Sequence, residues 1–161
     1  MILVTGGAGY IGSHLVLSLL EQSKEVIVFD SLELGHIEII EKLKEYGKLK
    51  FIQGNLKNLD EIRGVFLSNK IESVVHFAAY SQVAESVINP QKYYYNNVYG
   101  TLNLLNAMLE FGVKKIVFSS TAATYGEPEY SPIDENHPQK PINPYGNSKL
   151  MIELIIFGLY D

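Results

Sequence analysis

The feature that most constrains the fold is a glycine-rich segment near the start of the chain. Residues 5–12 read Thr-Gly-Gly-Ala-Gly-Tyr-Ile-Gly and follow the apolar run 2–4. A strand, a glycine turn and a helix in this order form the cradle for the pyrophosphate of a dinucleotide. Gly6 permits the tight turn, Gly9 lets the backbone approach the phosphates, and Gly12 lets the helix pack close to the strand. The segment therefore predicts a dinucleotide site.

Size and composition limit what surrounds this site. The chain has 161 residues, of which 47% are hydrophobic, and a net charge of −5. We expect one domain over residues 1–161, and the acidic balance argues against nucleic-acid binding. The chain has no cysteine, which excludes disulfides and is compatible with the cytoplasm. We expect no signal peptide and no membrane span, because the apolar runs are too short.

Apolar strand-like runs alternate with helical patterns along the chain. Predicted strands lie at Ile2–Val4, Val26–Phe29, Leu49–Ile52, Ser73–Phe77 and Lys115–Ser119. Predicted helices lie at Ile11–Glu21, Ile37–Tyr46, Leu59–Leu67, Gln91–Phe111 and Tyr145–Leu159. This order predicts an α/β fold with a doubly wound parallel sheet, which is Rossmann-like. Residues 126–143 are rich in Pro, Glu and Asp and are predicted to form a loop.

Glycine and polar residues follow the predicted strands at their carboxyl ends. They are the glycine segment, Asp30, Asn55, Phe77-Ala78-Ala79 and Ser119-Ser120-Thr121. Because ligands of such sheets bind beyond the carboxyl ends of the strands, we expect these residues to converge on one crevice.

Asp30 ends the second predicted strand. Its carboxylate can accept hydrogen bonds from both hydroxyls of an adenosine ribose and would repel a 2′-phosphate. No arginine lies among the next several residues to receive such a phosphate. The sequence therefore favours NAD over NADP.

Tyr145 and Lys149 lie four residues apart at the start of the last predicted helix, on one helical face. The ammonium of Lys149 can therefore favour the phenolate of Tyr145. A phenolate in this place can take a proton from a substrate hydroxyl while a hydride leaves the same carbon. A hydroxyl at the end of the fifth strand could share that proton, although such hydroxyls also cap strands.

These motifs together resemble the extended short-chain dehydrogenase/reductase family and, within it, the UDP-glucose 4-epimerase group. The resemblance covers nearly the whole chain and rests on residues 5–12, 30–32, 54–56, 76–79, 83–86, 96–101, 119–126 and 143–149. It implies oxidation of a hexose at C4 with hydride transfer to NAD, followed by reduction of the 4-keto sugar on its other face. The implied substrate is a UDP-sugar.

The resemblance also implies roles for individual residues. Tyr145 would be the catalytic base, Lys149 its electrostatic partner and Thr121 the catalytic hydroxyl. The implied NAD-contacting residues are Gly6, Gly9, Tyr10, Ile11, Gly12, Asp30, Asn55, Leu56, Phe77, Ala78, Ala79, Asn96, Ser119, Tyr145 and Lys149.

The chain departs from the family pattern at several points. Asn55 stands where the family usually has an aspartate near adenine, and Ser81 replaces a lysine that some members carry. Family members continue for about as many residues again, so we expect an incomplete Rossmann-like domain without the C-terminal substrate lobe.

Three alternatives to a UDP-hexose 4-epimerase stay open. One is a nucleotide-sugar 4,6-dehydratase, although Ala122-Ala123 replace the Asp-Glu that supplies the acid in relatives. Another is an epimerase of uronates or pentoses. The third is a module that binds NAD without turnover, and we expect this chain alone to be weakly active or inactive.

Two further expectations concern partners and metals. Leu154-Ile155-Ile156-Phe157 form an apolar run in the last helix, which predicts a homodimer or another association through that helix. The four histidines have no ligand spacing, so no metal site is expected.

Overall fold

The computed structural model describes residues 1–160, apart from the side chain of Tyr160. Its centre is a parallel sheet in the order β3-β2-β1-β4-β5. The strands are β1 Ile2–Thr5, β2 Val26–Asp30, β3 Leu49–Gln53, β4 Ser73–His76 and β5 Ile116–Phe118. This order is that of a doubly wound sheet, and it confirms the predicted Rossmann-like fold class.

Seven α-helices connect or follow these strands in the described chain. They are α1 Tyr10–Glu21, α2 Ile37–Leu43, α3 Leu59–Ser68, α4 Val83–Ile88, α5 Pro90–Tyr93, α6 Gly100–Glu110 and α7 Pro144–Tyr160. Tyr94–Tyr99 form a π-helical segment between α5 and α6, and Lys44–Tyr46 and Ala122–Thr124 form 3₁₀ turns.

Burial along the strands follows their place in the sheet. Every residue of β2 is buried, as expected for an inner strand that is covered on both faces. The edge strands β3 and β5 expose side chains, among them Lys50 and Val117. Val4, Val16, Val28 and Ile40 are fully buried members of a core cluster that β1, β2, α1 and α2 build together.

The backbone of the chain forms two compact units. Unit 1 comprises residues 1–78 and 102–119 and contains the whole sheet. Unit 2 comprises residues 79–101 and 120–161. The single domain expected from the sequence stays a prediction.

The segment between β4 and α6 differs most from the predicted elements. Helix α4 has six residues, too few for a periodic pattern to show, and sequence analysis does not predict it. The long helix predicted for residues 91–111 is three segments, because Tyr94–Tyr99 adopt π-helical geometry. Its end follows the prediction: Gly112 has a φ of +69° and closes α6.

Helix α7 carries part of the predicted apolar run at its surface. Leu154 is 62% exposed and Phe157 is 67% exposed, whereas Ile155 and Ile156 are half-buried. Among the described residues, no helix has the length and apolar character needed to cross a bilayer.

Candidate functional site

The glycine turn after β1 is shaped by close backbone contacts inside unit 1. Gly6 has a φ of +75°, and a Cβ there would lie 2.6 Å from the backbone nitrogen of Ala78. A Cβ on Gly12 would lie 2.2 Å from the carbonyl oxygen of Gly6, so α1 approaches the turn as closely as a glycine allows. Both positions require glycine because of the protein's own backbone.

Gly9 differs from these two glycines. A Cβ there would meet the carbonyl oxygen of Gly6 at 3.4 Å, which is an ordinary contact. The N-terminus of α1 begins at this residue, and its first turn contains no acidic side chain. Backbone N–H groups at such a terminus suit an anion, so a ligand approaching Gly9 would meet N–H donors and no Cβ.

Asp30 lies at the carboxyl end of β2 and is 8% exposed. Its Oδ2 accepts a hydrogen bond from the backbone N–H of Ala8 at 3.0 Å, and its Oδ1 accepts one from Leu32 at 2.9 Å. A Cβ on Gly35 would lie 3.0 Å from Oδ1, so the following loop passes close to the carboxylate. Each oxygen keeps a lone pair, and the fixed negative charge suits a ribose diol better than a phosphate.

The other predicted strand-end residues of unit 1 are held by local hydrogen bonds. The backbone N–H of Asn55 donates to Glu61 Oε2 at 2.7 Å, and the carbonyl of Leu56 accepts from Asn103 Nδ2 at 2.8 Å. The N–H of Ser119 donates to the carbonyl of His76 at 3.1 Å, which extends the pairing of β4 and β5.

Unit 1 therefore contains eleven of the predicted cofactor residues. They are Gly6, Gly9, Tyr10, Ile11, Gly12, Asp30, Asn55, Leu56, Phe77, Ala78 and Ser119. Ala79, Asn96, Thr121, Tyr145 and Lys149 belong to unit 2.

In unit 2, two side chains satisfy N–H groups at the start of α7. The backbone N–H of Tyr145 donates to Ser86 Oγ at 3.2 Å, and that of Gly146 donates to Asn143 Oδ1 at 2.8 Å. The first N–H groups of a helix have no partner inside the helix, so these bonds fix its beginning. Tyr145 is half-buried, and its ring meets that of Tyr93 edge-on with 6.5 Å between centroids.

Lys149 lies one turn further along α7 and is only 3% exposed. Burial lowers the pKa of its ammonium to about 8, while the negative charge of Glu153 acts in the opposite direction. A lysine in such an environment is an unusual helix residue, because charged groups lose hydration when they are buried. Lys149 is therefore a predicted site residue whose charge is almost completely buried.

Thr121 begins the 3₁₀ turn after the fifth strand. Its Oγ1 accepts a hydrogen bond from the N–H of Ala123 at 3.2 Å, so it caps this turn. Acceptance leaves the hydroxyl hydrogen available for donation to another group. Ser120, its neighbour, donates its hydroxyl to Glu153 of α7.

Asn97, next to the predicted residue Asn96, is a structural residue that sequence analysis missed. It is 1% exposed and uses its whole side chain: Oδ1 accepts from Tyr80 N–H, and Nδ2 donates to the carbonyl of Tyr80 and to Ser148 Oγ. Asn96 Nδ2 also donates to Asn97 Oδ1 at 3.1 Å. These bonds join the π-helical segment, the start of unit 2 and α7.

Sequence analysis also missed the supporting hydrogen bonds that Glu61, Ser86 and Tyr93 make. Ser86 and Tyr93 contact Tyr145, which is distant in sequence. Glu61 acts through a hydrogen bond to the N–H of Asn55 that no periodic pattern predicts. The only signal was their presence within or beside the segments that carry the family resemblance. Among residues 1–160, no cluster of histidine and carboxylate side chains could hold a metal ion.

The sheet order and the glycine turn define a Rossmann-like domain of the nucleotide-binding type. Residues 3–160 match the family described as GDP-mannose 4,6 dehydratase, and the chain belongs to this family.

Individual relatives are epimerases by name, which confirms the predicted resemblance. The chain is 54% identical over 152 residues to UDP-glucose 4-epimerase of Halalkalibacterium halodurans, covering 94% of this chain and 44% of that protein. It is 50% identical to the Bacillus subtilis UDP-glucose 4-epimerase, covering 99% of this chain and 48% of that protein. The chain thus spans about half the length of the curated relatives it matches.

Solved structures give the same result. The UDP-Glc/GlcNAc 4-epimerase of Campylobacter jejuni superposes with a TM-score of 0.95 at 45% identity, over 98% of this chain and 48% of that chain. The UDP-glucose 4-epimerase of Bifidobacterium longum, in complex with NAD+ and UDP, superposes with a TM-score of 0.96 at 40% identity, over 99% of this chain and 48% of that chain.

Proposed function

We propose that the whole protein is an NAD-dependent epimerase that inverts C4 of a UDP-hexose, and that this chain supplies the cofactor-binding residues and the catalytic base. The observation that carries the proposal is the burial of Lys149 one helical turn from Tyr145. A buried ammonium loses hydration, and we infer that Lys149 carries this cost because its charge favours the phenolate of Tyr145 in the reaction. Relatives that bind NAD or UDP support the choice of ligands.

The residues of unit 1 fit NAD in three respects. The glycine turn and the N–H groups of α1 suit the pyrophosphate, and Asp30 suits the two hydroxyls of the adenosine ribose. The negative charge of Asp30 disfavours the 2′-phosphate of NADP.

In the proposed reaction the three predicted catalytic residues, Tyr145, Lys149 and Thr121, have one role each. Tyr145 takes the proton of the C4 hydroxyl and returns it after the keto sugar has presented its other face. Lys149 stabilises the phenolate, and Thr121 donates a hydrogen bond to the same substrate oxygen. NAD, which we propose the glycine turn and Asp30 bind, would supply an acceptor and donor for the C4 hydride.

The name of the family suggests a 4,6-dehydratase as a second function. Ala122 and Ala123 argue against it, because elimination of the C6 hydroxyl needs an acid and alanine supplies none. The relatives described above are epimerases by name, and proteins named as UDP-arabinose 4-epimerases of Arabidopsis thaliana are also similar to this chain, so a pentose is the main rival substrate.

A module that binds NAD without turnover is the other candidate, because the chain spans about half of its relatives. In that case this chain alone would bind NAD and release no product from UDP-galactose.

We further propose that the protein associates with a second copy through the exposed face of α7. Leu154 and Phe157 supply large apolar side chains there, and solvent-exposed apolar patches of this kind mark association sites.

The decisive experiment incubates the whole protein and NAD with UDP-galactose and measures UDP-glucose. We expect turnover in the wild type, and we expect Tyr145→Phe to reduce kcat by about 100-fold or more because the proton acceptor is lost. Tyr46→Phe is the matched control, since Tyr46 is 54% exposed and lies in unit 1; its activity should equal that of the wild type. Full activity of Tyr145→Phe would refute the assignment of the base.

A further inference from the structure

A second tyrosine lies beside the proposed base. Tyr93, at the end of α5, is fully buried, and its ring meets the ring of Tyr145 at an angle of 78° with centroids 6.5 Å apart. Edge-to-face contact of this kind is favourable and depends on ring orientation. The position of Tyr93 therefore bears directly on where the phenol of Tyr145 can lie.

The hydroxyl of Tyr93 is held from two sides. It donates to Glu85 Oε2 at 2.7 Å and accepts from the backbone N–H of Gln82 at 3.1 Å. With both bonds made, the outer end of the ring cannot tilt without breaking one of them. Burial and the neighbouring carboxylate of Glu85 raise the pKa of Tyr93 to about 12, so this phenol keeps its proton and stays a donor.

Glu85 belongs to α4, the short helix that also holds the start of α7. Its neighbour Ser86 accepts the backbone N–H of Tyr145, so adjacent residues of α4 act on the backbone and on the ring contact of Tyr145. Glu85 Oε1 also accepts from Lys92 Nζ at 2.5 Å, and the hydrogen bonds from Lys92 and Tyr93 lower the pKa of Glu85. Glu85 is therefore ionised and ready to accept at neutral pH.

Packing of the core does not require the hydroxyl of Tyr93 or the carboxylate of Glu85. A phenylalanine would bury the same ring without a hydroxyl that loses its hydration on folding. The hydroxyl and the carboxylate make the contact directional, since they fix one end of a ring whose centroid lies 6.5 Å from that of Tyr145.

We propose that Glu85 and Tyr93 are positioning residues for Tyr145: Glu85 holds the hydroxyl of Tyr93, and the ring of Tyr93 fixes the ring of Tyr145. The inference rests on the proposed function, in which Tyr145 is the base. Misplacement of a catalytic group by a fraction of an ångström slows the chemical step while substrate binding is kept.

The test compares variants of the whole protein in the epimerase assay. We expect Tyr93→Phe and Glu85→Leu each to lower kcat by about 10-fold, with KM for UDP-galactose and the affinity for NAD within about 2-fold of wild type. Glu85→Gln keeps a carbonyl oxygen that accepts from Tyr93, so it should recover most of the loss seen in Glu85→Leu. The double variant Tyr93→Phe/Glu85→Leu should lose no more than either single one, because both remove the same tether.

Lys92→Met is the matched control. It removes the other partner of Glu85, whose ion pair with Lys92 is 35–39% exposed, and leaves the bond to Tyr93 in place. Its kcat should stay within about 2-fold of wild type, because partly exposed ion pairs contribute little.

Thermal unfolding separates positioning from a purely structural role. The inference is overturned if Tyr93→Phe has the kcat of wild type. It is also overturned if the variant loses activity only in proportion to its decrease in folded fraction. If Tyr93→Phe is unfolded at the assay temperature, equal kcat values for Glu85→Gln and Glu85→Leu overturn it instead. Loss of activity in Tyr145→Phe together with full activity in Tyr93→Phe refutes the positioning role alone, whereas full activity in Tyr145→Phe refutes the proposed function itself.

Discussion

At the scale of single residues, the chain buries two charged side chains where chemistry is proposed. Lys149 is buried although a lysine at the surface of α7 would be hydrated, and Asp30 is buried at the end of a strand. Buried charges lower stability unless other interactions offset them. Asp30 accepts two backbone hydrogen bonds that offset this cost, whereas burial lowers the pKa of Lys149, so the larger cost falls on Lys149.

The cost of burying Lys149 predicts a dependence of stability on pH. Its pKa is about 8 in the folded protein, below the ordinary value of 10.5, so the unfolded chain binds the proton more tightly. The free energy of unfolding should therefore rise as pH increases from about 8 to 10.5, by up to about 3 kcal/mol from this residue.

Lys149→Met tests this cost directly. At pH 7 the ligand-free variant should be more stable than wild type by about 1–3 kcal/mol in urea denaturation, and the difference should shrink above pH 8. Lys42→Met, at an exposed position of α2, should change stability by less than about 0.5 kcal/mol. The argument would be contradicted if the gain in stability of Lys149→Met over wild type were smaller at pH 7 than at pH 10.

At the scale of elements, the glycine turn shows how one strand and one helix are joined. The carbonyl oxygen of Gly6 lies only 2.2 Å from the position that a Cβ of Gly12 would take, so the first turn of α1 packs directly on the preceding backbone. Gly64, in the middle of α3, has no atom within 4 Å of its Cβ position among the described residues. A side chain is therefore excluded at Gly12 and has room at Gly64.

Alanine substitution should separate these two glycines. Gly12→Ala should lower stability by about 1–3 kcal/mol, because backbone must move to admit the methyl group, and should weaken NAD binding measured by calorimetry. Gly64→Ala should raise stability by up to about 1 kcal/mol, because alanine is the better helix former. Equal thermal stability of the two variants would show that the contact at Gly12 can relax.

At the scale of the whole molecule, the exposed apolar face of α7 is the feature that bears on self-association. Leu154 and Phe157 are both more than 60% exposed, and Met151 is 45% exposed on the same helix. Such a surface favours association, since each large apolar side chain that leaves water contributes about 1.5–3 kcal/mol.

We expect this chain to self-associate in a concentration-dependent manner through α7. Light scattering after size-exclusion chromatography should show a mass above that of the monomer for the wild type, and the monomer mass for Leu154→Lys/Phe157→Lys. Leu67→Lys, at a 77% exposed position of α3, should associate like the wild type. A wild type that stays monomeric at high concentration would contradict the expectation.

The sequence by itself determined the five strands, most of the helices and the kind of sheet. Apolar runs such as that of β2 and the glycines around Gly12 act through the backbone of their own neighbourhood, so their effect is visible in a short window of sequence. The position of the polar residues at the strand ends could also be predicted from the sequence. Their common edge follows from the kind of sheet, because parallel strands bring their carboxyl ends to one edge.

Only the tertiary structure decided the environment of the proposed base. Glu85, Ser86 and Tyr93 act on Tyr145, more than fifty residues away, through hydrogen bonds and a ring contact. The burial of Lys149 likewise depends on the elements packed around α7, and its spacing from Tyr145 gives no measure of it. Sequence patterns describe local geometry, whereas contacts between distant residues exist only after the chain has folded.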